Sequence, residues 1–163
     1  MQQAKQSRWP GTSASIAALS LDQISKAIVI ANKSDFLEGA PVFHGFNLIF
    51  LRNEGITFGL FSQVPWWGLT IVALLIASCC AFMMWRAMRR LEAIGWGLVV
   101  GGALGNVVDR IRFGGVTDFL DFFIGPYHWP AFNLADVAVV TGVAIVILLP
   151  PGQSDRPPPS GPL

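Results

Sequence analysis

The 163-residue chain is 53% hydrophobic, only 13% charged and carries a formal net charge of +1, with a mean hydropathy of +0.54. An ordinary soluble domain has about 25% charged residues, so a soluble fold of this size would struggle to hide so much apolar surface, and membrane residence is the leading class. The scattered basic residues form no stripe for nucleic acid, and the adjacent Cys79 and Cys80 offer no useful staple and read as small core or lipid-facing residues.

Residues 1–12 are polar, with Lys5 and Arg8, and read as a short cytoplasmic tail. An apolar segment from about 14 to 31 follows, and a first transmembrane helix is predicted over about 14–34. Asp22 and Lys26 interrupt it, which argues against a secretory signal. The pair lies at i, i+4 on one helical face in the favourable acid-before-base order. It either neutralises itself inside the bundle or supports a nearby site. Residues 35–65 mix Pro41, His44, Arg52, Asn53 and Glu54 with glycines and aromatics. FHGFNLIFL at 43–51, resuming at 57–61 after Asn53-Glu54-Gly55, suggests short strands in a hairpin-like element over about 40–60 on the outer membrane surface.

The stretch 66–85 is free of charge, and about 20 helical residues cross a hydrocarbon core of ~30 Å. A second span is therefore predicted over about 66–86, with tryptophans at both ends as interfacial anchors. A third is predicted over about 93–112, where Gly97, Gly101 and Gly105 leave a bare strip for close helix approach. A loop of about twenty residues follows, then a fourth span over about 132–149. Residues 1–149 thus read as one membrane domain, and the proline-rich 150–163 as a disordered cytoplasmic tail. Lys5, Arg8, Arg86, Arg89, Arg90 and Arg156 on one side modestly outweigh Arg52 and Arg112, with Lys33 and Arg110 at the loop edges, on the other, so both termini are expected inside.

That orientation places Asp118 and Asp136 together at the outer membrane face. Ionisable residues at membrane depth are functional candidates by default. Two carboxylates sharing a site do not both ionise easily; one can take a proton from water while the other polarises a carbonyl. The two histidines, His44 and His128, show no HExxH spacing, so neither a metal nor a cofactor is expected. No P-loop or G-x-S-x-G elbow is present. From the residues alone the pairing stays open. Asp109 precedes Arg110 and reads equally as structural, while Asp121 follows Asp118 by three positions and either shares the site or faces water.

The chain resembles the bacterial lipoprotein signal peptidases (signal peptidase II). The resemblance rests on LDQISK at 21–26, NEGITFG at 53–59, GNVVDRIRFGGVTDF at 105–119 and FNLAD at 132–136, in the family's order and spacing. It implies a mainly α membrane fold of four transmembrane helices, with an extracytoplasmic β-cradle at about 40–60 and a short interfacial helix. It implies catalytic aspartates at Asp118 and Asp136. Asp22, Lys26, Asn53, Gly55, Asn106, Asp109, Arg110 and Asn133 become supporting or substrate-binding positions, with Asp109 orienting its neighbours. The implied activity is aspartyl endopeptidase cleavage of diacylglyceryl-modified prolipoproteins just before the lipidated cysteine, sensitive to globomycin-type cyclic peptides, in the bacterial inner membrane among membrane lipid and as a monomer. The family commonly has small residues after the glycine of its Asn-x-Gly motif, where this chain has Ile56-Thr57; altered packing in the cradle is expected there. The rival reading is a small proton-coupled transporter using the same carboxylates as a relay. The absence of an internal repeat and the clustering of the acids at one face count against it.

Overall fold

A computed structural model describes residues 8–55 and 65–149. The strand resumption expected at 57–61, the cradle residues Ile56-Thr57 and the proline-rich tail lie outside the described residues. In chain order the elements are helix α1 (Arg8–Ala31), helix α2 (Lys33–Phe36), strands β1 (Ala40–Phe43) and β2 (Phe46–Asn53), helices α3 (Trp66–Arg86) and α4 (Arg90–Phe113), strands β3 (Val116–Ile124) and β4 (Tyr127–His128), and helix α5 (Leu134–Leu148). The result is a mainly helical membrane protein carrying a small antiparallel sheet.

Helices α1, α3 and α4 are each long and apolar enough to cross a membrane. At 15 residues α5 is shorter, about 22 Å of helix. Helix α1 begins before the predicted 14 and takes in Pro10, because a proline in a first turn has no intrahelical donor to lose. The helices present apolar side chains outward, such as Ile16, Ile24 and Ile28 on α1 and Leu75 and Phe82 on α3. Their buried residues include Asp22, Lys26 and Asp109. Polar groups turned inward and aliphatic groups outward suit a lipid solvent.

Helix α4 sits at the centre, against α1, α3 and α5. Its glycines make this possible. A Cβ on Gly97 would run into the Gly11 backbone, one on Gly101 into Ser15 O, and one on Gly105 into the Asp22 carboxylate, all on α1. On another face, a Cβ on Gly102 would meet Ala135 O of α5. The bare strip expected at 97, 101 and 105 is therefore the α1 seam, and a second strip seats α5.

Gly114, at φ 73°, ends α4 by donating its N–H to Arg110 O at 2.9 Å. This left-handed cap turns the chain straight into β3. Here the expected loop of about twenty residues is corrected: β3 is nine residues long and pairs antiparallel with β2, Leu51 opposite Asp118 and Asn53 opposite Val116. The strand escapes a sequence reading because 116–119 are all buried, so no polar–apolar alternation marks it. The sheet runs β1-β2-β3-β4, with Gly45 at φ 89° in the β1–β2 turn. The cradle is thus built from two distant parts of the chain, and β3 carries both Asp118 and Asp121. The short helix α2 has no buried residues and leads from α1 into the sheet.

Candidate active site

The site rests on a buried ionic layer between α1 and α4. Lys26 Nζ lies 2.9 Å from Asp22 Oδ2 and 3.6 Å from Asp109 Oδ2. Each acid also holds backbone. Asp22 Oδ1 accepts from Ala135 N at 2.9 Å, tying α1 to the start of α5. Asp109 Oδ2 accepts from Thr117 N at 2.8 Å, tying α4 to β3. Gln23, inside the LDQISK segment but not among the residues singled out from the sequence, donates to Asp22, to Asp109 and to Gly105 O at 3.1–3.3 Å. Buried charges persist only when paired and hydrogen-bonded, and here each has several partners.

Lys26 also donates to Asn106 Oδ1 at 2.9 Å. An ammonium has no acceptor, so this contact fixes the Asn106 amide, and its Nδ2 must turn the other way. There it donates to Asp136 Oδ1 at 2.9 Å. Asn133 is the N-cap of α5: its Oδ1 accepts from Asp136 N at 3.1 Å, and Asp136 Oδ2 accepts from Asn133 N at 3.2 Å. This reciprocal capping box leaves Asn133 Nδ2 free to donate to Asp118 Oδ1 at 2.7 Å. The second oxygen, Asp118 Oδ2, accepts from Asn53 Nδ2 at 2.9 Å, while Asn53 Oδ1 is held by Gly55 N at 3.1 Å. Among the described residues, Asn133 alone therefore hydrogen-bonds both aspartates. The two come from different elements, β3 and the first turn of α5.

Asp118 is 2% exposed. Burial pushes its carboxyl from the ordinary 3.8 to about 6, with the nearby Asp136 charge adding to the rise and the Asn53 and Asn133 hydrogen bonds opposing it.

Both acids open on one cavity of about 610 Å³, whose polar wall is Asn53, Gly55, Asn106, Arg110, Asp118 and Asp136. Arg110 reaches back to Asn106 O at 3.5 Å. The apolar wall is Val116, residues 129–132 and, along α5, Val137, Val140 and Thr141. Asn106 lies about two turns, roughly 10 Å, before the end of α4 at Phe113. The short α5 starts at that depth, where Asp136 in its first turn meets Asn106, so its N-terminus faces the cavity.

Of the residues singled out in the sequence, Asn53, Gly55, Asn106, Arg110, Asp118 and Asp136 line the cavity, while Asp22, Lys26, Asp109 and Asn133 brace it from behind. Asp121 does not join them. It turns to His128 and Asn47, because three residues along a strand reverse the face.

Apolar helices around a polar core, with two carboxylates on one cavity, define a multi-pass membrane protein built around a carboxylate pair. The profile of the Signal peptidase (SPase) II family matches residues 14–149, and the chain belongs to that family, which makes it a peptidase. It is 41% identical to the lipoprotein signal peptidase of Cupriavidus taiwanensis over 132 residues, covering 78% of this chain and 74% of that one. It is 43% identical to that of Syntrophus aciditrophicus over 137 residues, covering 80% and 84%. Two solved bacterial membrane enzyme structures share the fold, with TM-scores of 0.75 and 0.73 and identities of 26% and 27%. Each match covers 84% of this chain, and 84% and 89% of the respective solved chain.

Proposed function

We propose that this protein removes the signal peptide from diacylglyceryl-modified prolipoproteins in the bacterial inner membrane, cleaving just before the lipidated cysteine through water activated by Asp118 and Asp136. The observation that carries this reading is the single Asn133 side chain, which caps α5 at Asp136 and donates to Asp118, so that one residue sets both acids at one cavity.

The roles of the two acids follow from their surroundings. Asp136 lies in the first turn of a helix and accepts a backbone N–H, where the helix dipole favours an anion. Asp118 is on a strand, buried, with its carboxyl raised to about 6, and is the better holder of the shared proton. In the proposed reaction, water between them gives a proton to Asp136 and attacks the scissile carbonyl carbon. Asp118 passes its proton to the carbonyl oxygen, giving a neutral gem-diol. Collapse returns a diol proton to Asp118 and delivers the Asp136 proton to the leaving amine nitrogen, breaking the C–N bond and restoring the pair.

Arg110, on the polar wall, is placed to hold substrate carbonyls. The apolar face along α5 offers acyl chains and signal-peptide residues a place to lie. A lipid-anchored cysteine fixes the scissile bond at membrane depth, which supplies much of the positioning that catalysis needs. With both termini cytoplasmic, this depth falls near the outer face. The test is cleavage by the purified protein in detergent. A diacylglyceryl prolipoprotein is expected to be cut and its unmodified precursor spared, with globomycin blocking the reaction. Equal cleavage of both forms, or of neither, would overturn the proposal.

A further inference from the structure

A second carboxylate cluster lies outside the cavity. Asp121, 5% exposed on β3, accepts from His128 Nδ1 at 2.8 Å and 3.0 Å through its two oxygens, and from Asn47 Nδ2 at 3.3 Å. The His128 ring stacks on Phe123 with centroids 5.1 Å apart. Neither Asp121 nor His128 lines the cavity, so any effect on the reaction must pass through the segment they hold.

That segment is the wall itself. His128 is the last residue of β4, a strand of two residues, too short to hold its place by ladder bonds alone. The end of its hairpin is bare, with Ile124 and Tyr127 85% and 80% exposed. Directly after it, Trp129 N donates to Phe122 O at 2.7 Å and Phe132 N to Leu120 O at 3.2 Å. Residues 129–131 arch between those two anchors on β3, and all three line the cavity. A buried carboxylate binding the residue at the foot of this arch is a strong tether, since charge-assisted hydrogen bonds are worth roughly twice a neutral one.

We propose that Asp121 and His128 are a positioning pair for the same reaction: their hydrogen bond holds the 129–131 arch against the cavity and sets how tightly the substrate peptide is gripped, leaving the chemistry to other groups. This rests on the peptidase reading above. Because His128 is half-exposed, removing it spares the core.

The experiment is steady-state cleavage of a diacylglyceryl prolipoprotein by the purified full chain. In His128→Ala, KM is expected to rise roughly tenfold, the size of one lost charge-assisted hydrogen bond, with kcat within about twofold of wild type. His128→Asn, whose amide nitrogen takes the place of Nδ1, is expected to keep KM near wild type. Unchanged KM in His128→Ala, a fall in kcat at constant KM, or no rescue by His128→Asn would overturn the pair's role while leaving the peptidase reading intact. A wild type that cuts nothing would overturn both.

Discussion

Asn53, Asn106 and Asn133 have no freedom to turn their amides, and this fixes what the two acids receive from them. Each carboxamide oxygen is occupied by a donor that cannot become an acceptor: Gly55 N, Lys26 Nζ and Asp136 N. Each amide nitrogen therefore points at a carboxylate. Asp118 still titrates high, because burial outweighs the two hydrogen bonds it receives. A carboxyl raised from 3.8 to about 6 on folding leaves stability intact at low pH and takes it away as pH climbs through 6. The loss is on the order of 3 kcal/mol in total. In pH-dependent thermal unfolding in detergent, wild type is expected to lose stability between about pH 4 and pH 7 through this group, and Asp118→Asn to lack that slope. The same proton matters to catalysis: if Asp118 is the acid, kcat/KM falls as pH rises through about 6. Identical stability slopes in the two proteins, or a kcat/KM that rises through that range, would contradict the assignment.

At the scale of elements, α4 holds the rest because its glycines let two helices close on it. Gly101→Leu would place a side chain where Ser15 O and Ala18 Cβ of α1 now lie. Overpacking of this kind costs about 1–3 kcal/mol. It would also draw Asp22 and Lys26 away from Asp109 and Asn106. A lower unfolding temperature together with lost cleavage is expected, and an unchanged melting temperature would refute the seam. These helices were legible in the sequence for physical reasons. The charge-free run at 66–85 is long and apolar enough to span, and the i, i+4 pair of Asp22 and Lys26 and the four-residue glycine spacing each name one face. Strand β3 was not legible, because a strand covered on both faces has lost the alternation that betrays strands. Nor does the sequence choose between the two places open to Asp121: on a helix it would share a face with Asp118, but on strand β3 it faces the other way and meets His128.

For the whole molecule, the site exists because remote parts of the chain converge. Asn53 comes from β2, Asn106 from α4, Asp118 from β3, and Asn133 and Asp136 from the start of α5, with Asp22 and Lys26 of α1 behind them. Spacing could nominate these residues only as a motif set, and the resemblance to the lipoprotein signal peptidases selected among them. What spacing could not supply was the wiring: Asn133 bridging the acids, Gln23 spanning the ionic layer, and the His128 tether under the cavity wall. The account depends most on Asp118 and Asp136 acting as one pair. The direct test is the cleavage rate of a diacylglyceryl prolipoprotein by Asp118→Asn and by Asp136→Asn, each first shown to unfold cooperatively in detergent. Both are expected to fall by at least about a hundredfold with the fold retained; a folded variant of either kind that turns over like wild type would contradict the account.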